Sequence, residues 1–135
     1  MESQIESRIY RVIDANLNRY KEGIRVVEDI LRYGFDEREN SLKLKNLRHL
    51  ANLENSSKFI EFRDAENDTL RPTLNLELER KNLNSIIIAN LKRSQESARV
   101  LEECFKLYDL EISERFKGAR YELYTAEKDI LKLNL

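Results

Sequence analysis

The chain has few of the residues that turns, disulfides and metal clusters require. Its 135 residues include one cysteine, one proline, three glycines and no tryptophan. The lone Cys104 cannot form an internal disulfide or a cysteine cluster for zinc, so we expect it to pack as a small core residue in a reducing compartment. Scarce turn residues and a charged fraction of 36% favour an all-α fold.

Neither sign of charge dominates, and no long apolar run is present. The formal net charge is −1, and no basic block offers a surface for nucleic acid. No segment approaches the roughly 18 apolar residues that a membrane span needs, and the acidic residues 1–6 are not typical of a signal peptide. We therefore expect a cytoplasmic protein with no nucleic-acid or membrane partner.

The motifs of the common nucleotide-binding and hydrolase folds are also missing. There is no P-loop, no Gly-x-Gly-x-x-Gly and no Gly-x-Ser-x-Gly. His49 is the only histidine and lacks the spacing of helical metal sites. Clustered arginines with Mg²⁺ on carboxylates remain as a way to hold phosphate.

The chain does contain a repeat of polar residues. Five residues of segment 14–29 recur about 74 positions later: Asn16, Arg19, Glu22, Arg25 and Glu28 are followed by Asn90, Arg93, Glu96, Arg99 and Glu102. A second echo relates residues 45–49 to 117–121. Packing explains duplicated apolar positions, but duplicated polar positions indicate a function or a contact.

Apolar periodicity predicts a helical hairpin in the first half. The first helix is expected to start at a capping box formed by Ser3 and Glu6 and to end at Gly34 in a left-handed conformation. Asp36 is expected to cap a second helix that continues through Ala51.

The second half predicts another hairpin. Its first helix should start between residues 75 and 82, after a short extended stretch at 74–78, and reach about Tyr108. Ser113 should cap the last helix. We therefore predict one domain over 1–135, a four-helix bundle of two pseudo-symmetric hairpins, about 3–53 and 76–133, joined by a loop near 63–75.

The outer charges of the two long helices have two interpretations. Arg25 and Glu28, with their equivalents Arg99 and Glu102, can form a solvated ladder of i, i+4 pairs, each worth a few tenths of a kcal/mol. Alternatively, they line a contact with another subunit or a ligand.

The repeated asparagines also have two interpretations. Asn16 lies within the apolar face of its helix, as Asn90 does in its own, so each should have a specific hydrogen-bond partner. The amides either tie the helices together or read a heterocycle edge in a pocket where Arg19 and Arg93 grip phosphate.

Residues 13–29, together with Leu47-Arg48-His49, Arg63-Asp64, the second copy at 89–99 and Arg120-Tyr121, resemble a small helical family that is often fused to thiamine phosphate synthase. The resemblance implies a monofunctional hydroxymethylpyrimidine phosphate kinase (phosphomethylpyrimidine kinase) of thiamine biosynthesis, with ATP as donor and Mg²⁺ as cofactor. Residues 65–70 lack an expected glycine, which distinguishes this chain from the family pattern.

The resemblance also implies roles for individual residues. The expected catalytic residues are Arg19, Arg25, Arg48 and Glu28. The expected contacts to the aminopyrimidine phosphate are Asn16, Glu22, His49, Asn90, Arg93, Arg99 and Arg120. The expected Mg²⁺ ligands are Glu28, Asp29 and Asp64. The alternative is a non-catalytic helical interaction module that pairs with thiamine phosphate synthase, or with itself as a homodimer.

Overall fold

The computed structural model describes residues 2–73 and 79–135, and this part of the chain contains helices and no strand. The all-α prediction is confirmed. The extended stretch predicted at 74–78 lies outside the described residues. The helices are α1 (Glu2–Asp29), continued by a π-helical turn at Ile30–Gly34, α2 (Arg38–His49), the short α3 (Ser57–Ile60), α4 (Leu83–Phe105) and α5 (Leu110–Leu131).

The four longer helices form a bundle of two hairpins. α1 packs along α4, α2 packs on α1, and α5 packs on α4 and touches α2. The core lies between them and includes the fully buried Tyr20, Ile24, Leu91, Leu101 and Phe116. Cys104 is partly buried against this core, and burial raises the pKa of its thiol. In the described helices, no stretch is both long and apolar enough to cross a membrane.

α1 and α4 run antiparallel and are in close contact at Gly23. A Cβ atom at Gly23 would lie 2.6 Å from the carbonyl oxygen of Asn90 and against the hydroxyl of Ser94. The Ser94 hydroxyl donates a 2.9 Å hydrogen bond to the carbonyl oxygen of Tyr20, 74 positions away. Tyr20 and Ser94 are equivalent positions of the repeat, so the pseudo-twofold axis passes close to this contact.

The boundaries of the first hairpin differ from the prediction. α1 already includes Ser3, so the predicted capping box does not start the helix. Gly34 has no positive φ, whereas Asp36 does, at 51°. The short polar side chain of Asp tolerates this left-handed conformation. The cap of α2 is Glu37, which accepts from the amide of Asn40 at 2.8 Å.

The caps of the second hairpin also differ in part. Asn82 caps α4 by accepting from the amide of Ser85 at 2.8 Å, at the edge of the predicted window. α4 ends at Phe105, three residues before the predicted end. Asp109 caps α5 because its carboxylate accepts from two backbone amides, and Ser113 is buried inside the helix, where it donates to the carbonyl of Glu102.

Candidate functional site

The last glutamate of each polar repeat is buried against an arginine of the neighbouring helix. Glu28 is 1% exposed and accepts from Arg48 Nε at 2.7 Å and Nη2 at 3.3 Å. Glu102, also buried, accepts from Arg120 Nη2 at 2.8 Å. The two ion pairs occupy equivalent places in the two hairpins. The solvated-ladder interpretation is therefore wrong for Glu28 and Glu102, because α2 and α5 cover that side of α1 and α4.

Three residues of these two ion pairs had predicted functional roles: Glu28 and Arg48 as catalytic residues, and Arg120 as a contact to the substrate. Arg48 and Glu28 direct their charges at each other, through hydrogen bonds from Nε and Nη2 of Arg48 to the carboxylate. Removing one partner of a buried ion pair strands the other charge and is strongly destabilising. The geometry therefore favours a structural role, joining α1 to α2 and α4 to α5.

Arg120 is less completely paired than Arg48. Its Nη1 donates to the Tyr124 hydroxyl at 3.2 Å, while its buried Nε has no hydrogen-bond partner among the described residues. The hydrogen bonds to Tyr124 and Glu102 raise the pKa of Arg120 far above its usual value. The two hairpins therefore share one ion pair but differ around it.

The outer arginines of the repeat do form the predicted exposed ladder. Arg25 pairs with Asp29 at 3.2 Å, and Arg99 pairs with Glu103 at 3.1 Å. About half of each arginine side chain is exposed. Such pairs contribute little to stability.

The predicted Mg²⁺ ligands do not lie together. Asp64 accepts from the backbone and side-chain amides of Asn67, and hydrogen bonding to Asn67 lowers the pKa of its carboxyl. Its carbonyl oxygen accepts from Arg11, which is roughly 27 Å along α1 from Asp29. Within 2–73 and 79–135, no cluster of three or more acidic, His or Cys residues could hold a metal. Mg²⁺ binding stays a prediction without a site.

Four of the other repeated residues, Asn16, Arg19, Arg93 and Glu96, line a groove between α1 and α4, whereas Glu22 and Asn90 do not line it. The groove has a volume of about 430 Å³ and is lined by Asn16, Arg19, Ala89, Arg93, Glu96, Ser97 and Val100. No residue of α2 or α5 contributes to it. The structure thus brings the predicted residues Asn16, Arg19 and Arg93 into one place.

Each repeated asparagine is anchored to its own helix. Asn16 Nδ2 donates to the Val12 carbonyl at 2.9 Å, and Asn90 Nδ2 donates to the Ile86 carbonyl at 2.8 Å. The expectation of a specific partner is confirmed, but the amides do not tie the helices to each other. The anchored Asn16 amide keeps its oxygen available as an acceptor at the groove.

Four equivalent charges around this groove have no partner in the described chain. Arg19, Glu22, Arg93 and Glu96 are all exposed. None of the ion pairs formed by the described residues includes them. Arg48, Arg63 and Arg120, in contrast, are held by carboxylates. Arg19 and Arg93 are thus available to an external anion.

His49 and a second cavity both lie outside this groove. His49 is exposed at the end of α2 and does not line it. Another cavity, of about 520 Å³, lies between α2 and α5 and is lined by Lys43, Asn46, Leu47, Leu50, Glu122, Thr125, Ala126 and Asp129. None of the predicted site residues lines that cavity.

Sequence reasoning missed two features of the region. Ser97 and Val100 also line the groove, and their spacing of four and seven residues from Arg93, about one and two helical turns, was the available signal. Arg63 forms a two-pronged ion pair with buried Asp14, at 2.7 and 2.8 Å, which ties the segment after α3 to α1. No local spacing connects these two residues, so no sequence signal identified the pair.

Residues 11–129 match the ThiD2 family. The chain belongs to the ThiD2 family. It is 38% identical to the thiamine-phosphate synthase of Prochlorococcus marinus (strain AS9601), over 94% of this chain and 36% of that protein. It is 35% identical to the thiamine-phosphate synthase of Nostoc punctiforme, over 95% of this chain and 37% of that protein. No solved structure matches the chain.

The ThiD2 chain spans a little over a third of the length of these relatives. Their names contradict the prediction that it is a phosphomethylpyrimidine kinase, because they denote a different enzyme, thiamine-phosphate synthase. The names give no support to ATP binding. They agree better with the alternative, a helical module associated with thiamine-phosphate synthase.

Proposed function

We propose that this ThiD2 chain is a helical module of thiamine biosynthesis that acts beside thiamine-phosphate synthase and binds a phosphorylated aminopyrimidine in the α1/α4 groove. The observation that carries the proposal is the similarity of nearly the whole chain to about a third of each named synthase. A segment like this one therefore occurs as part of that enzyme in the relatives.

The groove has the charge that a phosphate monoester requires. Arg19 and Arg93 come from equivalent positions on α1 and α4, line the same groove and lack carboxylate partners among the described residues. A guanidinium offers a planar fork of donors that matches phosphate oxygens and makes strong, charge-assisted hydrogen bonds. Two such groups on facing helices suit one dianionic group.

Acceptors around the groove suit an amino-substituted ring. The Asn16 amide and the Ser97 hydroxyl both donate to backbone carbonyls of their own helices, at 2.9 and 2.8 Å, which leaves their oxygens to accept. The Glu96 carboxylate adds a stronger acceptor. The groove volume of about 430 Å³ lies within the range of about 300–1,000 Å³ that is usual for small-molecule sites.

Ligand binding is tested by thermal unfolding. The phosphorylated aminopyrimidine at about 100 times its dissociation constant should stabilise the fold by about 2.7 kcal/mol. The unphosphorylated alcohol and inorganic phosphate serve as separate controls and should give smaller shifts. An unchanged melting temperature with the phosphorylated ring contradicts the ligand assignment.

Association is tested by co-expression with the thiamine-phosphate synthase of the same organism. The expected result is a complex that co-elutes in size-exclusion chromatography, with and without the pyrimidine phosphate. Separate elution at micromolar concentration of both proteins contradicts the association but leaves the ligand assignment standing.

A further inference from the structure

The outer face of the α1/α4 pair is made from equivalent residues of both halves, and among the described residues neither α2 nor α5 covers it. We define it by Val12, Arg19, Glu22 and Val26 of α1 and by Ile86, Arg93, Glu96 and Val100 of α4, each pair separated by 74 positions. Val12 and Val26 are 39% and 38% exposed. α2 and α5 pack on other sides of these helices, as the buried Glu28 and Glu102 pairs show.

The charges on this face alternate in a self-complementary way. Tyr20 and Ser94 lie at the same height along the antiparallel helices, since they are hydrogen-bonded to each other. At a rise of about 1.5 Å per residue, Arg19 and Glu96 then differ in height by less than about 2 Å. By the same count, Glu22 and Arg93 are at nearly the same height on the other side of the Tyr20–Ser94 hydrogen bond. Each helix therefore presents a cation where the other presents an anion.

We propose that this face pairs with the same face of a second copy of the chain. A twofold axis lying in the face and parallel to the helices puts α1 of one copy over α4 of the other. Arg19 then meets Glu96 of the second copy, and Arg93 meets Glu22. The axis repeats both contacts, so the four charges that lack partners within one described chain all acquire them.

The size and edges of the face suit such a pairing. α4 is about 35 Å long at 1.5 Å per residue, and two packed helices are about 20 Å wide. The face therefore covers about 700 Å², which is comparable to the roughly 800 Å² that each partner buries in a standard protein interface. Val12 with Val100, and Val26 with Ile86, place apolar side chains at both ends of the charged centre.

The pairing also accounts for the repetition of the exposed charges. Arg19 and Arg93 form no ion pair within the described residues of one copy, and a twofold contact uses both positions in the same way. The inference does not depend on the proposed ligand. A guanidinium has five N–H donors, enough for a carboxylate of the second copy and a phosphate oxygen together.

Sedimentation velocity of the whole chain with two charge-reversal variants tests the inference. The wild type should sediment as a dimer at micromolar concentration, and added salt should weaken it. R19E/R93E and E22R/E96R should each raise the dissociation constant at least about 100-fold, since like charges then face each other. An equimolar mixture of the two variants should form a heterodimer.

Three results overturn the inference: a monomeric wild type, variants that dimerise as well as the wild type, or a mixture that stays monomeric. The substituted residues are exposed, so circular dichroism should show both variants folded. If one variant fails to fold, the salt dependence of the wild-type dimer decides, and a dimer insensitive to salt contradicts the charged contact. A monomer that pairs only with thiamine-phosphate synthase assigns the face to that enzyme instead.

Discussion

The hydroxyl of Ser94 donates a 2.9 Å hydrogen bond to the carbonyl oxygen of Tyr20, its own equivalent in the other half of the chain. The bond fixes the register of α1 against α4, because both residues are fully buried between the two helices. That register brings Asn16 and Arg19 opposite Arg93 and Ser97. The contact that holds the two hairpins together therefore also shapes the groove.

Gly23→Ala should destabilise the fold even though alanine favours a helix. The new Cβ would lie 2.6 Å from the Asn90 carbonyl oxygen, a backbone atom that cannot rotate away. Overpacking of this kind costs about 1–3 kcal/mol, more than the gain of about 1 kcal/mol in helix propensity.

Gly118→Ala is the matched control for that substitution. Gly118 lies inside α5, and its added Cβ would meet nothing within 4 Å. Urea unfolding should show this variant stabilised by about 0.5–1 kcal/mol. Equal stabilisation by both substitutions would show that α1 and α4 do not touch at Gly23.

Glu28→Ala should lower the free energy of unfolding by about 3 kcal/mol, because it leaves the Arg48 guanidinium without its carboxylate. Glu102→Ala should act similarly through Arg120. Arg25→Ala, which breaks an exposed i, i+4 pair, should cost no more than about 0.5 kcal/mol. Chemical denaturation followed by circular dichroism compares them. Equal, small effects would mean that Glu28 is solvated.

Stability should fall at alkaline pH through Tyr20. Burial raises the pKa of Tyr20 above its usual value of about 10, and its hydroxyl donates to the Leu47 carbonyl at 2.5 Å. A raised pKa in the folded state means that the stability contributed by the neutral phenol is complete below pH 10 and is lost as the pH rises further. The slope is about 1.4 kcal/mol per pH unit for one proton.

In Tyr20→Phe, the free energy of unfolding should fall less steeply with pH, by that one-proton slope. At neutral pH the variant should be less stable by about 1 kcal/mol, because it loses the hydrogen bond. Tyr33→Phe, at a largely exposed ring, is the control and should keep the wild-type slope. Urea unfolding at several pH values between 8 and about 11.5 measures both. An unchanged slope in Tyr20→Phe would contradict a buried, neutral Tyr20.

The helices could be predicted because their apolar periodicity is strong, and Asn16 could be singled out because it interrupts an apolar face. The arginine partners of Glu28 and Glu102 could not be predicted. A helical wheel describes one helix at a time, so it does not show that α2 covers one side of α1 and that α5 covers one side of α4. Ser113 was predicted to cap α5, but the helix already begins at Leu110, so Asp109 is the cap and Ser113 lies inside the helix. Asp29 and Asp64 were predicted to share a Mg²⁺ ion because both are carboxylates. In the structure, Asp64 contacts Arg11 near the start of α1, whereas Asp29 is at the end of that helix.

In the proposed function, Arg19 and Arg93, which have no carboxylate partner within one described chain, bind the phosphorylated ligand, whereas the largely covered Arg48 and Arg120 hold the helices together. Isothermal titration of the wild type, R19Q/R93Q and the control Arg38→Gln with aminopyrimidine phosphate tests it most directly, since Arg38 is exposed on α2 outside the groove. We predict binding to the wild type and the control, and at least about tenfold weaker binding to the double variant. Equal binding to all three proteins, or none to the wild type, would contradict the account.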